Sequence, residues 1–209
     1  MNTIEPYYVI ENYITKKQCS DLLKYFLIHE DEDPREFYGN LSLGGPESFS
    51  NKDTFNKFDP EHVLYEAVAF GKQFFLDKYK MRGTSFELNR SHVNYMHQGA
   101  YLDGHTDDRP IDQPIEELNS MTYVMGLFLN DDYEGGELVF EHQKISLKPT
   151  AGTLVFFPGF YTRHAVNKVS SGSRINILSH FFDVVDTSIE YKPNYAVIPP
   201  EHQRLAHEI

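Results

Sequence analysis

Apolar side chains near the start of the chain recur at helical spacing, which predicts a first amphipathic helix. The stripe consists of Cys19, Leu22, Leu23, Phe26 and Leu27. Thr15 and Gln18 form a predicted capping box at its start, because each side chain can satisfy a free backbone N–H at the helix terminus. We expect the helix to fray in the acidic stretch that follows and to end before Pro34.

A segment without clear periodicity separates this helix from a second one. Residues 35–56 are rich in Gly, Ser and Asn and contain the breaker Gly44–Pro46, so we interpret them as a long loop. The second helix is predicted to begin with Asp59 as its N-cap and Pro60 at the first helical position. An apolar stripe then runs along it.

The pattern changes to short strands from Phe86 onward, separated by Gly, Asn, Asp and Pro. The predicted strands are 86–96, 121–129, 137–140, 144–148, 153–157, 163–168 and 174–183. No alternation of strands with helices appears, which argues against a doubly wound parallel sheet. The expected fold is mainly β with flanking helices, a jelly-roll core. We expect one domain over residues 1–209, with helical support in 1–85, the core in 86–183 and a tail in 184–209.

Composition narrows the classes of partner. The chain carries 19 Lys and Arg against 31 Asp and Glu, a net charge of −12, which disfavours nucleic acid as a partner.

Its single cysteine, Cys19, excludes an internal disulfide and Cys-rich zinc sites, and we interpret it as a buried apolar residue. No stretch approaches the roughly 20 apolar residues that span a bilayer, and no secretory leader is apparent. We therefore expect a cytoplasmic location and no membrane partner.

The triplet His105-Thr106-Asp107 is a candidate metal-binding motif, although it is weak evidence by itself. With 10 histidines and 31 acidic residues among 209, chance gives roughly 1.5 triplets of a histidine and an acid at this spacing. A second one, His29-Glu30-Asp31, closes the first predicted helix, where i and i+2 do not share a face. In an extended strand, His105 and Asp107 would instead point to the same side.

His164, at the start of a later strand, is the best candidate for a third ligand. Two imidazoles and one carboxylate leave three open positions on an octahedral ion, which suits non-haem iron(II). If His164 stood alone, a structural role would be the simpler interpretation. Four other histidines, at positions 92, 97, 142 and 180, are interpreted mostly as structural or surface residues.

Arg174 completes the constellation ten residues after His164. If antiparallel strands joined by a turn at Ser170–Ser173 carry these two residues, both side chains face the same interior. A guanidinium there requires an anion, and the far carboxylate of a dicarboxylate could provide one through a bidentate pair. The alternative is an arginine paired with a surface acid.

In this region the chain resembles the prolyl 4-hydroxylase-like branch of the iron(II)/2-oxoglutarate oxygenases. The resemblance covers roughly residues 90–183. Its motifs are Tyr95-x3-Gly99-x-Tyr101-x3-His105-x-Asp107, Leu127 to Asn130, Tyr133 to Phe140, Pro149-x2-Gly152 to Pro158, and His164-x-Val166-x2-Val169-x2-Gly172-x-Arg174. This ordered series is far more specific than any single triplet.

The resemblance implies a double-stranded β-helix, a cupin-like form of jelly roll, with His105, Asp107 and His164 as iron ligands. It implies that Arg174 binds the distal carboxylate of 2-oxoglutarate and that Tyr95 lies in the cosubstrate pocket. An equally good interpretation of Tyr95 is a core residue whose hydroxyl is satisfied elsewhere. Asn176, two residues beyond the arginine, is a further candidate for that pocket. The implied cofactors are Fe(2+), 2-oxoglutarate as cosubstrate and O2, with ascorbate as an additional candidate.

The function implied is a dioxygenase that hydroxylates an unactivated C–H bond, with a prolyl residue of a peptide or protein as the leading substrate. Many collagen-type enzymes carry Lys at the position of Arg174, which weakens a collagen-like assignment. Alternatives are a hydroxylase of a free amino acid or other small metabolite, a cupin-like binding module without turnover and, less favoured, nucleic-acid demethylation. We expect the loops at 35–56 and 108–120 to border the substrate entrance. Oligomeric state and the role of the tail do not follow from the sequence.

Overall fold

The computed structural model describes residues 5–28, 41–42, 63–79, 85–107, 122–160 and 162–184. Two helices lie in these ranges, α1 at Lys16–Ile28 and α2 at Val63–Tyr79. The predicted capping box is confirmed, because the backbone N–H of Thr15 donates to Gln18 Oε1 at 2.9 Å and that of Gln18 donates to Thr15 Oγ1 at 3.2 Å. The predicted N-cap at Asp59, the second triplet at 29–31, the loop 108–120 and the tail beyond 184 lie outside the described residues.

The described residues contain twelve strands. They are β1 Tyr8–Ile10, β2 Leu41–Ser42, β3 Ser85–Met96, β4 Leu102–His105, β5 Thr122–Phe128, β6 Glu134–Gly135, β7 Leu138–Phe140, β8 Ile145–Leu147, β9 Leu154–Phe157, β10 His164–Val166, β11 Val169–Ser171 and β12 Arg174–Val184. All seven strands predicted from the sequence are present, with ends that differ by at most two residues. The strands β1, β2, β4, β6 and β11 were not among them; β2 lies within the segment that we interpreted as a loop.

The strands form two facing sheets and a short ribbon. The large sheet has the order β1-β9-β5-β12-β3-β2, the small sheet β4-β10-β7-β8, and the ribbon consists of β11 and β6. Every pair is antiparallel. This arrangement is the predicted double-stranded β-helix with helices packed against it.

Alternate residues of the large sheet enter two separate cores. Tyr123, Met125 and Leu127 of β5 pack with residues of α1 and α2 on one face, whereas Val124 and Phe128 join the core shared with the small sheet. Burial on both faces explains why β5 is a continuous apolar run. The alternation decides which side chains of each strand can reach the interior between the sheets.

Cys19 lies in the core on the helix side of the sheet, as predicted. Its thiol is buried, and burial raises its pKa to about 11. A thiol that stays protonated at neutral pH is a poor nucleophile, so Cys19 is a packing residue.

The turn predicted at Ser170–Ser173 needs correction. Ser170 and Ser171 belong to β11, and the chain bends at Gly172, whose φ of 74° favours glycine. In addition, His164 on β10 pairs with β4 and β7 of the small sheet, whereas Arg174 on β12 pairs with β3 and β5 of the large sheet. The two residues therefore approach from facing sheets and not from a hairpin. No helix among the described residues is long and apolar enough to cross a membrane.

Candidate functional site

Three of the predicted site residues meet where β4 and β10 pair. His105 ends β4, Asp107 follows two residues later, and His164 begins β10 directly opposite His105 in the register. One potential ligand atom from each residue lies within 4.8 Å of the others. The structure thus brings together two imidazoles and a carboxylate, although His105 and His164 are 59 positions apart in the sequence.

The orientation of both rings is fixed by backbone carbonyls. The Nδ1–H of His105 donates to the carbonyl oxygen of Asp103 at 2.9 Å, and that of His164 donates to Thr162 at 2.9 Å. Both Nε2 atoms therefore face Asp107, at 3.5 Å from Oδ1 for His105 and 3.9 Å from Oδ2 for His164. A carbonyl acceptor behind a ligating imidazole selects its tautomer and is typical of metal sites.

The electrostatics of the cluster are mutually supporting. Burial by itself would raise the pKa of Asp107, but the neighbouring imidazoles of His105, His164 and His180 hold that pKa below its ordinary value. The contact with Asp107 raises the pKa of His105, whereas burial lowers the pKa of His164. A divalent cation requires an ionised carboxylate and neutral imidazoles, which is the state favoured for Asp107 and His164, and its binding would displace a proton from His105.

These residues fit a divalent metal ion. Oδ2 of Asp107 is buried and has no hydrogen-bond partner, and a buried carboxylate oxygen without a partner is costly. A cation bound between the three ligand atoms would supply the missing interaction. The N2O ligand set with open positions suits iron(II) of the non-haem type.

Arg174 lies at the other end of the interior and has no acidic partner among the described residues. Its side chain is 2% exposed, Nη1 donates to Asn176 Oδ1 at 2.7 Å, and Nε has no acceptor. The guanidinium carbon lies 4.9 Å from the centroid of the Phe128 ring. Burial lowers the pKa of Arg174, since no neighbouring anion compensates for desolvation. The alternative interpretation, an arginine paired with a surface acid, is thus not what the described residues show.

Asn176 and Tyr133 complete the surroundings of this cation. Asn176 is fully buried, and its Nδ2 has no hydrogen-bond partner. Its Oδ1 therefore holds the guanidinium, while its Nδ2 can donate to a ligand. The Tyr133 hydroxyl is also buried without a hydrogen-bond partner; burial raises its pKa and the nearby Arg174 opposes this. Sequence reasoning did not single out Tyr133, because its contact with Arg174 is tertiary.

A single cavity of about 200 Å³ joins the two ends. The three clustered residues, Arg174 and Asn176 all line it, together with many apolar side chains from both sheets. Two further histidines, His92 and His180, also line it, with their rings stacked at a centroid distance of 5.4 Å and 9° between planes. The sequence had indicated that most of the histidines at 92, 97, 142 and 180 are structural or surface residues; this pair lies at the cavity and not on the outer surface.

Tyr95 does not have the predicted position. Its neighbours Asn94 and Met96 line the cavity, whereas Tyr95 packs against the core on the helix side of the sheet and lies 4.4 Å from the His97 ring. In the register of β3 and β12, Met96 pairs with Arg174, and its Sδ is 3.6 Å from Nη1. Strand alternation therefore turns Tyr95 away from the pocket.

A double-stranded β-helix with a His-x-Asp and distant-His cluster is an arrangement typical of non-haem iron(II) oxygenases. Residues 91–182 match the model of the 2OG-Fe(II) oxygenase superfamily. The matched segment contains the three clustered residues, Arg174 and Asn176. The match thus covers the part of the chain that holds the candidate site.

Bacterial hydroxylases are similar to part of the chain. A PKHD-type hydroxylase of Idiomarina loihiensis is 30% identical over 111 residues, which are 52% of this chain and 47% of that protein. A PKHD-type hydroxylase of Prochlorococcus marinus is 30% identical over 110 residues, 50% of this chain and 42% of that protein. The chain therefore spans about half the length of the curated relatives it matches.

Solved structures confirm the fold. A viral collagen prolyl hydroxylase from Paramecium bursaria Chlorella virus-1, in complex with 2OG, has a TM-score of 0.65 at 19% identity and covers 86% of this chain and 97% of that one. A prolyl-4-hydroxylase of Pseudomonas putida has a TM-score of 0.60 at 17% identity, with coverages of 87% and 94%.

Proposed function

We propose that the protein is an iron(II)- and 2-oxoglutarate-dependent dioxygenase that hydroxylates a C–H bond of a peptide or protein substrate. The observation that carries this proposal is one cavity with a divalent-metal ligand set at one end and an unpaired buried arginine at the other. A dicarboxylate that reaches from one end to the other would bind the metal and also pair with the buried arginine. A metal-binding module without turnover has no need of a buried cation facing its metal.

In this proposal, His105, Asp107 and His164 hold the iron through Nε2, one carboxylate oxygen and Nε2. Arg174 donates to the distal carboxylate of 2-oxoglutarate, and Asn176 both fixes the guanidinium through Oδ1 and offers its free Nδ2 to the same carboxylate. A bidentate pair of this kind is strong and directional. The arginine therefore sets the position of the cosubstrate along the cavity.

When bound, the metal and 2-oxoglutarate supply the oxidation: one oxygen atom of O2 enters the C–H bond and the other enters succinate, with release of CO2. The chain orients the reactants and limits water access. Leu138, Val155 and Phe157 contribute apolar walls, which strengthen the interaction of Arg174 with an anion because the local dielectric is low. Phe157 also packs edge-on against His164 at 4.6 Å, which keeps that ring in place.

A prolyl residue is the leading candidate for the hydroxylated group. The solved structures that share the fold include collagen prolyl hydroxylase and prolyl-4-hydroxylase, and the curated relatives are PKHD-type hydroxylases. The cavity is also lined by the stacked pair His92 and His180, whose aromatic rings can pack against a ring of a peptide. These features support a peptide substrate.

Mass spectrometry of peptides incubated with the iron-loaded protein, 2-oxoglutarate, O2 and ascorbate tests this proposal. A proline-containing peptide should gain about 16 Da per hydroxyl group added, and a matched peptide with Ala in place of Pro should not. A gain on free amino acids alone would contradict the peptide assignment. Absence of both oxidised product and succinate, with iron and cosubstrate bound, would contradict the enzyme.

A further inference from the structure

Gly159, in the turn after β9, lies directly against the carboxylate of Asp107. The backbone N–H of Asp107 donates to the Gly159 carbonyl oxygen at 2.9 Å, so the two segments are tied together. A Cβ atom built on Gly159 would overlap Oδ2 of Asp107, the same oxygen that has no hydrogen-bond partner. It would also lie 3.0 Å from Asp107 Cγ and 2.9 Å from Val124 Cγ2.

Conformational freedom does not explain this glycine. The glycines with positive φ among the described residues are at positions 99, 135, 136, 152 and 172, and Gly159 is not one of them. An alanine could adopt its backbone conformation, so the requirement at position 159 is for space alone. The space in question is occupied by a proposed metal ligand.

The surroundings leave the carboxylate as the group that must move. Residues 151–160 are all buried, and Val124 belongs to the core between the sheets, so neither the turn nor β5 can withdraw at low cost. The carboxylate of Asp107 is the far end of a short side chain and can rotate. Rotation would take Oδ2 out of the cluster formed with His105 and His164.

We infer that Gly159 is a positioning residue for the metal centre: its missing side chain forms the seat in which the Asp107 carboxylate is held towards both imidazoles. This inference rests on the proposed function, since it takes Asp107 to be a metal ligand. It assigns to the turn after β9 a role in metal affinity that the residue types of the ligand set do not reveal. Metal binding itself is the property to measure.

Gly104 offers a matched control. A Cβ there would overlap Oε1 of Glu141 and lie 2.6 Å from its Cδ, a clash with a carboxylate as severe as the one at 159. The Glu141 side chain is 38% exposed, and its carboxylate can swing into solvent. Its ion pair with Arg163 is partly exposed and of small energetic value. The same substitution at position 104 should therefore leave metal binding intact.

The experiment is calorimetric titration of Mn(II) into the wild type and into Gly159→Ala, Gly104→Ala, Asp107→Ala and the double variant Asp107→Ala/Gly159→Ala. We expect Gly159→Ala to weaken Mn(II) binding at least about tenfold, the lower end of effects from displaced supporting groups. Gly104→Ala should stay within about twofold of the wild type. The double variant should equal Asp107→Ala, because the glycine acts only through that carboxylate.

The electron paramagnetic resonance spectrum of bound Mn(II) gives a second readout, which should change in Gly159→Ala and not in Gly104→Ala. Equal affinities for Gly159→Ala and wild type, or equal losses in both alanine variants, would overturn the inference. If Gly159→Ala does not fold, folding of the double variant supports the carboxylate clash, and its failure to fold contradicts it. Absence of Mn(II) binding by the wild type would instead contradict the proposed function.

Discussion

The two ends of the cavity differ in how completely protein groups supply partners for their charged and polar side chains. At the metal end, a carboxylate and two imidazoles lie at the edge of the small sheet, and their charges and backbone hydrogen bonds support one another. At the other end, Arg174 lies on a central strand of the large sheet with only neutral neighbours, which include Asn176, Phe128 and Met96. One end is built before any ligand arrives, and the other is incomplete without an anion.

This difference indicates a division of labour between the sheets. The small sheet carries His105 and His164, and the large sheet carries Arg174. Leaving a cation buried and unpaired costs stability, so the ligand-free protein bears a penalty that anion binding removes. The following predictions separate the two ends, beginning with the largest effect.

Replacement of His164 by Ala should produce the largest change, a loss of Mn(II) affinity beyond about 100-fold, because it removes a ligand and not merely a supporting group. His105→Ala should behave in the same way. His97→Ala is the control, since that side chain is exposed and does not line the cavity. Calorimetry measures all three, and wild-type affinity in either ligand variant would refute the assigned metal end.

Arg174→Met should weaken 2-oxoglutarate binding by about 10- to 150-fold, which corresponds to the roughly 1.5–3 kcal/mol of a hydrogen bond to a charged group. Mn(II) affinity should not change. The melting temperature of the ligand-free variant should be no lower than that of the wild type, because methionine removes an unpaired buried charge. A large drop in melting temperature with unchanged cosubstrate affinity would mean that the guanidinium is structural.

Asn176→Ala should have an intermediate effect, about a tenfold rise in the dissociation constant of 2-oxoglutarate. The change removes the acceptor at 2.7 Å from Arg174 Nη1 and a donor that has no partner in the protein, while the cation itself remains. Titration of 2-oxoglutarate into the Mn(II)-loaded variant measures the effect. A loss as large as that of Arg174→Met would show that the two residues act only as a unit.

Tyr95→Phe should have the smallest effect, less than about twofold on 2-oxoglutarate affinity, since a hydroxyl outside the cavity loses no contact with the ligand. Tyr95 packs on the helix side of the large sheet. The same titration decides the matter. A loss of tenfold or more would place its hydroxyl at the cosubstrate and would require a different register for β3.

The sequence predicted the fold and the placement of His105, Asp107, His164 and Arg174 around one interior because their order along the chain is informative. Arg174 lines the interior cavity as expected although the supposed hairpin was wrong, since facing sheets and a hairpin both point the side chain inward. Tyr95 was misplaced because a shift of one position in a strand reverses the face. Every second residue of β12 from Arg174 to His180 lines the cavity, so strand alternation could have predicted the position of His180. Tyr133 and Gly159 act through tertiary contacts, which no local sequence pattern shows.

The most direct test of the account is the formation of succinate from 2-oxoglutarate by the iron-loaded protein in the presence of O2. The wild type should form succinate, His164→Ala should form none above background, and Arg174→Met should recover part of the rate when the cosubstrate concentration is raised. Succinate formation by His164→Ala at the wild-type rate, or none by a wild type that binds both iron and 2-oxoglutarate, would contradict the account.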